Sequence, residues 1–139
     1  MSKLETLEPE FQEKVKLLLA GIKSLSGRDW VITDGRRTIA YQNELYAQGR
    51  SKPGKVVTNA KGGQSAHNFG LAADLCPMKN GNLWWTAPRQ VWQQMADLAV
   101  EIGLVSGFYF KTIFDAPHVE DPNWKQVQAS WKRGEIKVV

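Results

Sequence analysis

Gly62-Gly63-Gln64-Ser65-Ala66-His67-Asn68-Phe69-Gly70-Leu71-Ala72-Ala73-Asp74-Leu75 is the stretch that decides how this chain is read. It carries one of only two histidines among 139 residues, with a carboxylate seven positions later. Leu71 to Leu75 is a short apolar run between Gly70 and Pro77, as suits a buried strand. A carboxylate inside such a strand is costly unless it is paired or bound to metal. Asn68-Phe69-Gly70 supplies a turn, so His67 can fold back to the face that carries Asp74. The second histidine lies in Phe114-Asp115-Ala116-Pro117-His118-Val119-Glu120, again framed by a proline and by acids. A lone histidine is more often a hydrogen-bonding residue than a ligand. The combination points to His67, Asp74 and His118 as three ligands of one zinc ion.

Three protein ligands leave a fourth position for water, as catalytic zinc requires. Two neutral imidazoles and one carboxylate leave about +1 on the ion, enough to generate a nucleophile near neutral pH. A further carboxylate must then take and return the proton, and Asp115 is the candidate. Pro117 fixes its own φ and pushes Ala116 toward extended geometry. In a fully extended segment Asp115 and His118 would face opposite sides, so both can serve one site only if the chain bends between them.

On these residues the chain resembles the D-alanyl-D-alanine carboxypeptidase-like (VanY-like) zinc peptidases. The resemblance is carried by Ser65-x-His67-x6-Asp74 followed by Asp115-x-x-His118. Upstream it includes Gly35-Arg36-Arg37-Thr38, Gln42 and Leu45-Tyr46-Ala47-Gln48-Gly49-Arg50. It spans about residues 28 to 120 and is most like the bacteriophage endolysin branch, the L-alanyl-D-glutamate endopeptidases. Order and spacing together make it far more specific than a lone His-x6-Asp. The resemblance implies an α+β fold, a small antiparallel sheet flanked by helices with the zinc site in a groove. It implies that His67, Asp74 and His118 bind the ion and that Asp115 is general base and acid. It also implies that an arginine, here Arg37, supports the substrate carbonyl or carboxylate. Relatives often carry an aromatic residue where this chain has Arg36, so Arg36 shares that candidacy. Gln64 and Ser65 are candidate hydrogen-bond partners of the substrate backbone.

The length suits one domain with its own core, residues 1 to 139, with no room for a separate wall-binding module. Net charge is +4, which favours acidic partners. Peptidoglycan stems are one such partner. No basic cluster with interleaved aromatics points to nucleic acid. Six tryptophans exceed what so short a chain needs, and most are expected in the core. The single Cys76 excludes a disulfide within the chain. Met1-Ser2-Lys3-Leu4-Glu5 lacks an apolar signal region and no stretch is long enough to span a bilayer. A monomer is expected, made and kept in the host cytoplasm until it is released to the wall. The missing wall-binding module fits a Gram-negative host or prophage.

Periodicity predicts a helix from about Glu8 to Leu25, with Leu7, Phe11, Val15, Leu18, Leu19, Ile22 and Leu25 inward. A strand over Trp30 to Thr33 leads to a turn at Asp34-Gly35. A helix capped by Thr38 runs from Ile39 to about Gln48. Ser51 to Gln64 is a long loop expected to form one rim of the groove. Asn80-Gly81 marks a hairpin, Pro88 to Ile102 a helix, and Leu104 to Phe110 a strand. His118 to Glu120 is a final short strand, and Asp121 is expected to cap a last helix from Pro122 to about Trp131.

Three functions compete. The first is endopeptidase cleavage between L-Ala and D-Glu of the peptidoglycan stem, leading to host lysis. The second is a D-alanyl-D-alanine carboxypeptidase or dipeptidase, in which Arg36 or Arg37 clamps a terminal carboxylate. The third is a non-catalytic wall-binding domain whose zinc is closed by a fourth protein ligand. Cys76, two residues from Asp74, is the residue that would close it.

Overall fold

Phe11, Val15, Leu18 and Ile22 form the buried stripe of helix α1 (Pro9–Ser26) in a computed structural model that describes residues 2–139. Leu19 is only partly buried, and Leu25, expected inward, is 60% exposed because it falls outside that stripe. Gly27 ends the helix in the left-handed conformation. Strand β1 (Trp30–Asp34) follows, then helix α2 (Ile39–Ala47), whose first turn is capped by the Thr38 hydroxyl accepting from Tyr41 N.

Strand β2 (Ala72–Lys79) is longer than the apolar run alone predicts, because β1 pairs with it out to Pro77. A short hairpin at Asn80-Gly81 leads to β3 (Asn82–Leu83). Helix α3 (Arg89–Ile102) buries Trp92, Met95, Ala96 and Ala99 and packs against α1. Leu104 to Phe110 does not form the single strand that its composition suggests. Only Val105–Ser106 pairs, as β4. Ser106 Oγ then accepts from Phe108 N and diverts the chain into a 3-10 turn, Gly107–Tyr109. Strand β5 is His118–Glu120. The last helix, α4 (Trp124–Lys132), starts later than expected. Asp121 accepts from Asn123 N at 2.7 Å and so makes a turn before the helix rather than capping it.

The sheet is antiparallel, in the order β1-β2-β5-β4, with β3 on β2. Ala73 and Leu75 enter the apolar core with α1 and α3. Asp74, between them, projects from the other face. A register shift between Ile32 and Asp34 sets Asp34 directly opposite Asp74, and on the other side Asp74 is paired with His118. The sheet therefore lays Asp34, Asp74 and His118 in one row across three strands. No helix of the described residues is long and apolar enough to cross a membrane.

Candidate metal centre

His67 reaches that row from a 3-10 turn, Ala66–Phe69. The turn is locked at its start by a reciprocal cap. Ser65 Oγ accepts from His67 N, and Asn68 Oδ1 accepts from Ser65 N. It is locked at its end by Gly70, whose φ of +70° a residue with a Cβ adopts only under strain. Asn68 Nδ2 donates to the Arg37 carbonyl at 3.1 Å, and Arg37 N donates to the His67 carbonyl at 2.9 Å. The turn is thus sewn to the segment that leaves β1.

One ligand atom each from His67, Asp74 and His118 lie within 4.8 Å of one another. His67 Nε2 is 3.5 Å and His118 Nδ1 is 3.4 Å from Asp74 Oδ1. That oxygen is buried and has no hydrogen-bond partner. Both separations are long for hydrogen bonds. They match the edge of about 3.3 Å that bonds of about 2.0 to 2.1 Å impose in a tetrahedral site. An orphaned buried carboxylate oxygen between two imidazoles fits a divalent transition metal well, since imidazole and carboxylate suit that class of ion.

The far nitrogens of the two rings are anchored as a ligand site requires. His67 Nδ1 lies 2.7 Å from the Gly35 carbonyl, which can only accept, so Nδ1 carries the proton and Nε2 offers its lone pair inward. His118 Nε2 lies 2.7 Å from Glu120 Oε1, and the other Glu120 oxygen accepts from Trp124 Nε1 at 2.7 Å. Burial disfavours charge on His118, but Asp74 and Glu120 outweigh it and push its pKa up to about 9. Burial likewise disfavours charge on Asp74, yet the facing imidazoles of His118 and His67 hold its carboxyl well below the usual range.

Asp115 stands beside this cluster, its Oδ2 4.0 Å from His118 Nδ1, with a side chain 47% exposed. The bend that the sequence demanded is a turn closed by His118 N donating to the Asp115 carbonyl at 3.2 Å. Gly107 makes room for it: a Cβ there would collide with the Asp115 carbonyl and lie 3.0 Å from the Cβ atoms of Asp115 and His118. Burial pushes the Asp115 carboxyl up, and the nearby Asp74 charge adds to this against the pull of His118. Two open grooves meet at Asp115. One, of about 470 Å³, is lined by Thr58, Asn59, Gln64, Phe110 and Ile113. The other, of about 440 Å³, is lined by Trp85, Arg89, Trp92 and Phe114. The long loop before His67 thus forms a rim of the first.

The remaining expected residues divide. Arg37 is beside the cluster: Nε donates to Asp34 Oδ2 at 2.7 Å, Nη1 to Gln42 Oε1 at 3.3 Å, and Nη2 is 3.6 Å from Asp74 Oδ2. Arg36 is not brought there. It pairs with Glu8 at 2.7 Å, donates to the Thr6 carbonyl and lines a separate cavity with Phe11 and Val138. Neighbours in a chain that has not yet turned into a helix project to opposite sides, so Arg37 reaches the cluster only if Arg36 does not. Gln64 lines the groove, with its Oε1 accepting from Lys61 N. The Ser65 hydroxyl is occupied as a cap. Cys76 is buried, its Sγ bonded to the Pro77 carbonyl, and it is not among the converging donors. A fourth thiolate ligand is therefore not at hand. Glu120, Gln42 and Asp34 were not expected at the site. Glu120 had a signal, since residues i and i+2 of a strand share a face.

Comparison with known proteins bears on the family and the fold of this chain. A family model described as D-alanyl-D-alanine carboxypeptidase, of peptidase group M15, matches residues 58–121. The peptidoglycan L-alanyl-D-glutamate endopeptidase CwlK of Bacillus subtilis is 36% identical over 122 residues, covering 82% of this chain and 72% of that protein. Among solved structures, the L-Ala D-Glu endopeptidase ChiX of Serratia marcescens superposes with a TM-score of 0.64 at 23% identity, over 89% of this chain and 86% of that one. The D,D-pentapeptidase VanY in complex with Zn(II) does so at 0.60 and 13% identity, over 92% and 79%. On its sequence match to CwlK, and with the same fold as ChiX and VanY, the chain belongs to the M15 family of D-alanyl-D-alanine carboxypeptidase-like peptidases.

Proposed function

We propose that this protein is a zinc-dependent endopeptidase that hydrolyses the L-alanyl-D-glutamate bond of the peptidoglycan stem. The observation that carries the reaction class is the orphaned Asp74 oxygen between two outward-anchored imidazoles, with a half-exposed acid beside it. The choice of bond is supported by the relative from Bacillus subtilis, whose stated activity is that cleavage. His67, Asp74 and His118 would hold the ion. Zinc there supplies Lewis acidity, polarising a carbonyl and making water acidic enough to react near neutral pH. Asp115 takes the proton of the attacking water and returns it to the departing amine, so one amide and one water give one acid and one amine. Arg37 positions Asp74 through Oδ2 and adds fixed positive charge beside the reacting carbonyl. The grooves on either side of Asp115 receive the two sides of the stem, with Gln64 on one rim.

The second reading, a D-alanyl-D-alanine carboxypeptidase, is favoured by the description of the matching family model. Mass spectrometry of digested wall preparations, with and without chelator, decides between them. Stems cut after L-alanine support the endopeptidase, and free D-alanine supports the alternative. In the same assay Asp115→Asn is expected to keep its metal and lose about 10²- to 10⁴-fold in turnover. Unchanged turnover would remove Asp115 from the mechanism. We further propose a phage endolysin role, with the monomeric enzyme held in the host cytoplasm until lysis. Lysis of permeabilised cells by added protein tests it.

A further inference from the structure

Arg89 is a cation that the fold engages only with aromatic rings. It opens α3, a helix with no acidic residue in its first turn, so its charge sits at the positive end of the helix dipole. It makes no salt bridge among the described residues. Asp97, the first acid along α3, is occupied by the Tyr109 hydroxyl. The guanidinium lies instead 4.6 Å from the Phe108 ring centroid and 5.3 Å from that of Phe114. Arg89 is exposed, and its contact with two rings leaves its N–H edge free. It lines the same groove as Asp115, together with Trp85, which stacks on Trp92 and is 50% exposed. The two arginines expected to meet a substrate carboxylate are both engaged elsewhere, Arg36 by Glu8 and Arg37 by Asp34 and Asp74. A glutamate within a peptide keeps one carboxyl free, so the proposed substrate brings an anion to within one residue of the cut bond.

We propose that Arg89 is the receptor for that free carboxylate, and that the groove of Trp85, Arg89 and Phe114 takes the acidic side of the cut bond. The assignment rests on the peptidase reading above and deepens it. Its test is calorimetric binding to the metal-loaded protein. The ligands are a γ-D-glutamyl dipeptide with a free α-carboxylate and the same dipeptide with that carboxylate amidated. The wild type is expected to bind the acid about ten- to a hundredfold more tightly than the amide, as a charge-assisted pair provides. Arg89→Gln should bring that ratio close to one, and Arg89→Lys should keep part of it, with metal content and melting temperature unchanged in both. The proposal is overturned if the wild type does not discriminate, if it binds neither ligand, or if Arg89→Gln keeps the ratio. Discrimination without cleavage of L-alanyl-D-glutamate bonds leaves the subsite standing and sinks the bond assignment. Cleavage without discrimination does the reverse.

Discussion

The two histidines of the centre are held in different ways. His67 stands on a capped 3-10 turn, and its outer nitrogen meets a neutral backbone carbonyl. His118 stands on a strand, and its outer nitrogen meets a carboxylate that is itself held by an indole. The first ring is placed by turn chemistry and the second by sheet register, with Asp74 opposite it. The difference teaches that position and basicity are separable. A carbonyl fixes a ring's direction, whereas an acid also raises its appetite for a cation.

The sharpest way to break the comparison is to remove what both sides share. Asp74→Asn is expected to leave purified protein without metal, as elemental analysis would read, and without hydrolysis. Next comes the acid side alone. Glu120→Gln should keep the fold and weaken metal affinity by about 10- to 100-fold, measured by competition with a chromophoric chelator. Equal affinity would show that the acid adds nothing beyond what a carbonyl provides.

A third experiment uses pH. In the metal-free protein His118 titrates above its ordinary value, at about 9, and Asp74 well below its own. A raised histidine stabilises the fold below its unfolded pKa of about 6.5, and that support is lost as pH climbs through the folded value. A lowered aspartate stabilises above its unfolded pKa and loses that support only in strong acid. Melting temperatures of the metal-free protein should therefore decline between about pH 6.5 and 9, while the metal-loaded protein shows no such decline. Glu120→Gln should move the decline to lower pH. The smallest effect belongs to the turn side: Ser65→Ala should destabilise by about 1 kcal/mol in denaturant melts, through loss of a cap. Its effect on metal affinity should be weaker than that of Glu120→Gln.

Much of this was legible in the residues. The three- and four-step recurrence from Phe11 to Ile22 gave α1, and Thr38 announced α2. His67, Asp74 and His118 could be grouped because histidine is rare here and each sits in a glycine- or proline-framed segment. What was not legible depends on partners far along the chain. Arg36 and Arg37 are chemically alike, and only the tether to Thr6 and Glu8 separates them. The strand expected over Leu104 to Phe110 ends early because Gly107 must approach the Asp115 turn, a contact that no local pattern contains. Asp121 looked like a cap, yet its bond to Asn123 N forms before the helix begins.

The register shift at the end of β1 has a further consequence. By setting Asp34 against Asp74 it creates a like-charged neighbour pair, which sheets normally avoid. The forked Arg37 side chain spans the two, 2.7 Å from one carboxylate and 3.6 Å from the other. A lysine's single ammonium does not have that reach in two directions. Anyone transplanting this centre to another scaffold would therefore have to carry six parts together: three converging donors, the irregular strand end, its aspartate and the arginine that reconciles them.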